Sequence, residues 1–181
     1  MLLSQLLAGT DAVWHKEQDM DVSGVAYNSQ KVCEGGVFVC IKGYSTDGHR
    51  FIPDALARGA AAVVVEDGDA DTGAAVKICV GDARKALAEL GANWYGHPAD
   101  ELKIVGVTGT NGKTTVTSLM KQILEFSGKK VGLIGTNGNM IGSKLLPSER
   151  TTPESFDLQG LLRQMADGGA EYVVMEGSSH S

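Results

Sequence analysis

Long apolar runs, basic clusters and paired cysteines are all missing from this 181-residue sequence. Its longest uninterrupted apolar stretch, residues 60–65, falls far short of the roughly 18 residues that a bilayer-spanning helix needs, so no transmembrane helix is expected. The first 14 residues lack a basic segment followed by a long apolar core; no signal peptide is expected, and the cytoplasm is the expected compartment. There are three cysteines, Cys33, Cys40 and Cys79. An odd number, with neither CxxC nor zinc-ligand spacing, predicts buried reduced thiols and no disulfide framework. No basic run exceeds Lys129-Lys130 and the net charge is −6, which argues against a nucleic-acid surface. The acidic surplus is concentrated in residues 1–97, with 8 basic and 13 acidic side chains against 8 and 9 in the remainder, so a phosphate-bearing ligand has to be gripped locally. No internal repeat or low-complexity segment interrupts the chain.

What is present is a hydrophobic fraction of 43%, enough for one large or two small cores, and a periodicity that changes along the chain. Leu2, Leu3, Leu6 and Leu7 predict a short helix ended by Gly9. Short strands are predicted at 25–27, 37–41, 60–65 and 76–80. A helix from His49 turns Phe51, Ile52, Ala55 and Leu56 inward. Asp82 is placed to cap a further helix with Ala83, Ala86, Leu87, Leu90 and Trp94 on one face. Gly96-His97-Pro98 breaks it, which sets an expected domain boundary between residues 1–97 and 98–181. Beyond that point the pattern becomes strand (104–107), glycine loop, helix, strand (131–134), helix, strand (172–175). The first of these helices presents Val116, Leu119, Met120, Ile123 and Leu124 on one face. The second is predicted to be capped by Thr152, with Pro153 at its first position and Leu158, Leu161, Leu162 and Met165 inward. The expected fold class is α/β: a mixed α/β N-terminal domain followed by a parallel-sheet domain. Three strands are few for a parallel sheet, so a truncated chain is expected.

Between the strand at 104–107 and its helix lies Gly109-Thr110-Asn111-Gly112-Lys113-Thr114-Thr115. Glycines there let backbone N–H groups turn inward, a helix N-terminus adds partial positive charge, Lys113 can reach phosphates and Thr114 can ligate Mg²⁺. Val107 stands where the full pattern has its first glycine, so this is a variant phosphate loop; the bland alternative is an ordinary glycine-rich turn. Glu176, at the end of the last predicted strand, is a candidate second Mg²⁺ ligand, since ligands gather beyond the carboxyl ends of parallel strands. A solvated loop glutamate is the alternative. Thr151-Thr152-Pro153 reads equally as a helix start. His15, His49 and His97 read as surface or capping residues, and His180 has no assignable role.

Together these motifs resemble the Mur ligases, the ATP-dependent amide-forming enzymes of peptidoglycan synthesis. The stretch Thr108 to Thr115 is similar to that family's phosphate loop, missing first glycine included. Thr151-Thr152-Pro153-Glu154 with Asp157-Leu158, Val174-Met175-Glu176 with Ser178-Ser179-His180, and Asp47-Gly48-His49-Arg50-Phe51-Ile52 resemble the branch that adds the third residue. Two departures stand out: Asn28-Ser29-Gln30 replaces Asp-Ser-Arg, keeping the serine, and Gly177 replaces a valine, which is expected to loosen the strand end.

The resemblance implies a UDP-MurNAc-binding domain over 1–97 and the first part of a phosphate-loop, parallel-sheet ATPase domain over 98–181. It implies ATP and Mg²⁺ as cofactors, and addition of meso-diaminopimelate to UDP-MurNAc-L-Ala-D-Glu through an acyl phosphate. Gly109, Thr110, Asn111, Gly112, Lys113, Thr114 and Thr115 would bind ATP, with Lys113 catalytic. Thr114 and Glu176 would hold Mg²⁺. Ser29, Tyr44, Ser45 and Thr46 would hold the uridine diphosphate end, and Thr151, Thr152 and Ser178 the muramoyl dipeptide. A monomer is implied, contacting neither nucleic acid nor membrane, and inactive on its own. The competing readings are a non-catalytic module that binds the UDP precursor or a nucleotide, and a phosphate-loop NTPase unrelated to cell walls.

Overall fold

The computed structural model describes residues 1–43, 46–146 and 153–177. Backbone contacts divide the chain into two compact units, Met1–Trp94 and Tyr95–Ser181.

The first unit is built on a four-stranded, all-parallel sheet in sequential order: β1 (Val25–Ala26), β2 (Val37–Val39), β3 (Ala62–Val65) and β4 (Val76–Cys79). All four strands are one or two residues shorter than predicted. Every residue of β2 and β3 is buried, as a parallel strand covered on both faces requires. Phe38, Val63 and Val65 pack with Ile52 and Ala55 of α2 (Ile52–Ala57), while Val37, Val39 and Val64, which alternate onto the other face, are equally inaccessible. Phe51 is 39% exposed, contrary to expectation, because residues 48–51 form a 3-10 turn whose period differs from that of the helix it leads into. α1 (Leu3–Leu6) buries Leu3 and Leu6, and the Asn93 side-chain amide of α3 (Ala83–Tyr95) donates to the Leu6 and Ala8 carbonyls, both at 2.8 Å. Asp82 caps α3 as predicted, accepting from the N–H groups of Arg84 and Lys85.

Among its described residues the second unit has five strands where three were expected: β5 (Lys103–Thr108), β6 (Val131–Ile134), β7 (Asn139–Ile141), β8 (Lys144–Leu146) and β9 (Tyr172–Gly177), in the order β5-β9-β6-β7-β8. The three predicted strands are parallel, whereas β7 and β8 form an antiparallel hairpin on β6. A two-residue turn joins Ile141 to Lys144, and Gly142 adopts φ +56° at its first position, the glycine-first geometry that matches the twist of a hairpin. The sheet is therefore mixed. α5 (Ser155–Asp167) covers one face through Leu161, Leu162 and Met165 against Ile134 and Val173. Its N-cap is Glu154, two residues beyond the predicted cap, and Pro153 precedes the helix.

α4 (Lys113–Phe126) covers the other face through Met120 and Leu124, against Val131, Leu133 and Val174. The predicted apolar face of α4 is split: Val116, Leu119 and Ile123 are 44%, 51% and 67% exposed, and Phe126 continues that outer stripe. β5, at the end of the strand order, also leaves Ile104 exposed. Among the described residues no helix is long and apolar enough to cross a membrane.

The cysteines are free thiols, but Cys33 is exposed rather than buried, and only Cys40 is inaccessible. Burial, then the charge of Asp47, pushes the Cys40 thiol up to about 12. His49 is paired where no partner was foreseen. Asp47 Oδ1 lies 2.6 Å from its Nδ1 and also accepts its backbone N–H at 3.0 Å; that backbone bond, then the ring, holds the Asp47 carboxyl below its usual value.

Candidate functional site

Because β5, β9 and β6 are parallel and in register, their carboxyl ends lie side by side. Val107 pairs with Glu176, Thr108 with Gly177, and Ile134 with Met175. The residues just past these ends form one cluster: the loop from Gly109 after β5, Glu176 at the end of β9, and Gly135-Thr136 after β6. Gly177 is the last residue of β9 and pairs with Thr108. A β-carbon there would meet nothing closer than 3.7 Å, so its neighbours do not demand a glycine.

The loop closes onto α4 through Gly112, whose φ of +77° sets the N-cap in the left-handed region that favours glycine. Among the described residues no side chain caps this helix end, which leaves its first N–H groups open to an anion. Lys113 opens α4 and folds back, its Nζ donating to the Gly109 carbonyl at 2.6 Å. Gly109, Thr110, Asn111, Gly112 and Thr115 are exposed, and Lys113 and Thr114 half-buried. That is the form of a phosphate cradle open to solvent.

Thr114 and Glu176, predicted to act together from positions 62 residues apart, do meet. Thr114 Oγ1 donates to Glu176 Oε2 at 3.2 Å. The sequence reading missed a third member, Thr136. Its Oγ1 lies 3.1 and 3.0 Å from the two carboxylate oxygens of Glu176 and 3.0 Å from Thr114 Oγ1, and its backbone N–H donates to Oε1 at 3.3 Å. The signal available was positional: Thr136 lies just beyond the carboxyl end of a strand near the phosphate-loop strand. Gly135 makes the approach possible, since a β-carbon on it would stand 2.4 Å from Glu176 Oε1. The donor set is oxygen only, and among the described residues no group of three His, Cys, Asp or Glu side chains gathers. One carboxylate and one hydroxyl fit Mg²⁺, a hard cation that keeps several of its waters and shares phosphate oxygens, better than a site that must encase its ion.

Of the residues expected to hold a UDP precursor, Ser29 lies just beyond β1, 6% exposed, at the first position of a 3-10 turn that Asn28 caps by accepting the Gln30 N–H. Thr46 is exposed, its carbonyl accepting the Gly43 N–H. Tyr44, Ser45, Thr151, Thr152 and Ser178 lie outside the described residues, as does His180.

The strand, loop and helix, with an acidic side chain and hydroxyls at the sheet's carboxyl edge, define a variant phosphate-loop α/β unit joined to a second parallel α/β unit. Residues 107–181 match the Mur ligase middle domain, and residues 21–95 match the domain described as Mur ligase family, catalytic domain. The chain belongs to the Mur ligase family. It is 48% identical, along its whole length, to the UDP-N-acetylmuramoyl-L-alanyl-D-glutamate–2,6-diaminopimelate ligase of Clostridium botulinum, and 46% identical to the Clostridium perfringens enzyme of the same name. It spans 38% of the length of each. A solved ligase of that name superposes with a TM-score of 0.73 at 30% identity, over 93% of this chain and 36% of the other. The MurF ligase of Thermotoga maritima, solved with ADP, gives 0.58 at 28% identity, over 88% and 33%.

Proposed function

We propose that this chain carries the nucleotide end, and part of the precursor-binding end, of an ATP-dependent ligase that adds the third amino acid to UDP-MurNAc-L-Ala-D-Glu. Residues 98–181 act on ATP and residues 1–97 bind the uridine diphosphate end of the precursor. The observation that carries this reading is the cradle itself: Lys113 at an uncapped helix N-terminus, beside the Thr114–Glu176 pair. The names of the relatives support the amide-forming chemistry, and the ADP complex of the MurF neighbour supports the nucleotide.

In this reaction an oxygen of the glutamate side-chain carboxylate attacks the γ-phosphorus of ATP, the bond from that phosphorus to the β-bridging oxygen breaks, and ADP leaves. The amine of the incoming diamino acid, meso-diaminopimelate on the relatives' example, then attacks the acyl carbon, expels inorganic phosphate and gives up a proton. Lys113 leaves the Gly109 carbonyl for the phosphates, and together with the first N–H groups of α4 it stabilises negative charge on the transferring phosphoryl group. Thr114 and Glu176 hold Mg²⁺, which when bound neutralises phosphate charge. Ser29 and the 44–46 segment hold the uridine diphosphate; Thr151, Thr152 and Ser178 hold the muramoyl dipeptide.

The test is calorimetric binding of ADP with Mg²⁺ and, separately, of UDP-MurNAc-L-Ala-D-Glu, followed by phosphate release with ATP, precursor and meso-diaminopimelate. Lys113→Ala is expected to abolish ADP binding and leave precursor binding intact. ADP binding that is indifferent to Lys113→Ala would overturn the nucleotide assignment. Absence of precursor binding would overturn the assignment of residues 1–97. Binding of both without phosphate release would restrict the chain to holding its substrates.

A further inference from the structure

We infer that Thr136 is the positioning residue of this site: it holds the Glu176 carboxylate so that one oxygen, together with the Thr114 hydroxyl, is presented to a divalent cation. This rests on the proposed pairing of Thr114 and Glu176 as cation ligands.

Proton counting carries the argument. Thr136 brings two donors to Glu176, a backbone N–H on Oε1 and a hydroxyl within 3.1 Å of both oxygens. Thr114 brings one donor, to Oε2. The two hydroxyls are also 3.0 Å apart, so each can accept from the other. A cation takes a lone pair from each ligand, so the Thr114 proton has to turn out of its path and is free to leave Oε2. Oε1 has no such duty. Its two bonds from Thr136 survive cation entry, and they keep the carboxylate from swinging about its side-chain torsions when Thr114 lets go. Thr136 is thus a bidentate anchor on one oxygen that frees the other, the role that outer partners of metal ligands play. Gly135 belongs to the same device, because its missing β-carbon lets the Thr136 backbone come within reach of Oε1.

The test measures Mn²⁺ binding to the 181-residue chain, with and without ADP, by the electron paramagnetic resonance signal of the free ion. Thr136→Val, which removes the hydroxyl at nearly constant shape, is expected to weaken Mn²⁺ binding about 10- to 100-fold, and Thr136→Ser to stay within about threefold of the parent. Thr136→Ala repeats the removal in case valine disturbs packing. ADP affinity in EDTA should be unchanged in all three, which a general loss of structure would not permit. Thr136→Val and Thr136→Ala binding Mn²⁺ like the parent, while Glu176→Gln does not, would overturn the role of Thr136 and leave the cation pair standing. Glu176→Gln and Thr114→Val both binding Mn²⁺ normally would remove the pair and the inference with it.

Discussion

Replacing Gly135 by alanine separates the integrity of the site from that of the fold. A β-carbon at this position would lie 2.4 Å from Glu176 Oε1 and 2.9 Å from its Cδ. Ordinary contact begins at about 3.4 Å, so the oxygen has to retreat by about 1 Å. The atom in the way is the far end of a flexible side chain, so the backbone and the packed core need not move. The hydrogen bonds have no such slack. Those from Thr136 to Oε1 start at 3.3 and 3.1 Å, and a displacement of that size takes both out of range. Bonds to a charged acceptor contribute about 1.5–3 kcal/mol each, part of which water restores in an exposed site, so Mn²⁺ affinity should fall about 10- to 100-fold. Gly132→Ala is the converse perturbation. Its β-carbon would meet Met165 Sδ at 2.4 Å and Val173 Cγ2 at 3.2 Å, inside the α5-covered core and away from the carboxyl edge. Overpacking there should cost about 1–3 kcal/mol, or several degrees of melting temperature, with Mn²⁺ affinity untouched below the transition. Parallel thermal melts and Mn²⁺ titrations of the two variants check this crossed pattern. Gly135→Ala that keeps its Mn²⁺ affinity while losing several degrees would refute the reasoning.

Three further outcomes follow from the rest of the chain. Arg163 holds Glu101 in a two-pronged ion pair at 2.7 and 3.1 Å, and its hydrogen bonds hold the Glu101 carboxyl below its usual 4.5. A lowered folded-state value means the pair's stabilisation is present above the unfolded value and disappears as pH falls through the folded one; Glu101→Gln should melt below the parent at pH 7, with the gap closing in acid below the usual glutamate value, and a gap that persists once Glu101 is protonated would contradict the pairing. Cys33 is exposed whereas burial pushes Cys40 up to about 12, so a thiol reagent at neutral pH should modify Cys33 quickly and Cys40 only after unfolding, as peptide mass mapping would reveal. The outer stripe of α4, Val116, Leu119, Ile123 and Phe126, is an exposed apolar patch of the kind that drives association; sedimentation velocity of this chain should show concentration-dependent self-association that Leu119→Lys with Ile123→Glu reduces, and a strictly monomeric parent at high concentration would count against it.

How far the sequence was legible depended on the range of the interaction being read. The α3 cap at Asp82 and the buried runs of β2, β3 and β6 follow from neighbours a few residues apart, and the chain obeys them. The turn from strand into α4 was legible for the same reason: its glycines, lysine and threonine are contiguous along the chain. The hairpin β7–β8 escaped notice because three-residue strands carry too little alternation to register, and its turn, Gly142-Ser143, lies in a stretch where glycine and polar residues recur on both sides. His49 escaped because its partner, Asp47, meets it through a 3-10 turn and not at helical spacing. The α4 face was read as a single stripe, yet the sheet beneath it engages only Met120 and Leu124, a fact about the width of its partner that periodicity does not encode.

Thr136 is the instructive omission. Ile134-Gly135-Thr136 carries no motif, only a position beyond a strand's carboxyl end. Its importance arises because the last described strand of the chain, β9, inserts between β5 and β6 and brings Glu176 beside it. The contacts that assemble the cation pair span 62 residues from Thr114 and 40 from Thr136. Such closures are entropically expensive, and the ladders β9 makes with β5 and β6 must repay them before the carboxylate can be held at all. The groups proposed to cradle phosphate are contiguous along the chain, from Gly109 to Thr115, whereas Thr114, Thr136 and Glu176 meet only once the sheet has closed around β9. In this domain the proposed nucleotide grip draws on neighbours in sequence, and the proposed cation pair on the completed sheet.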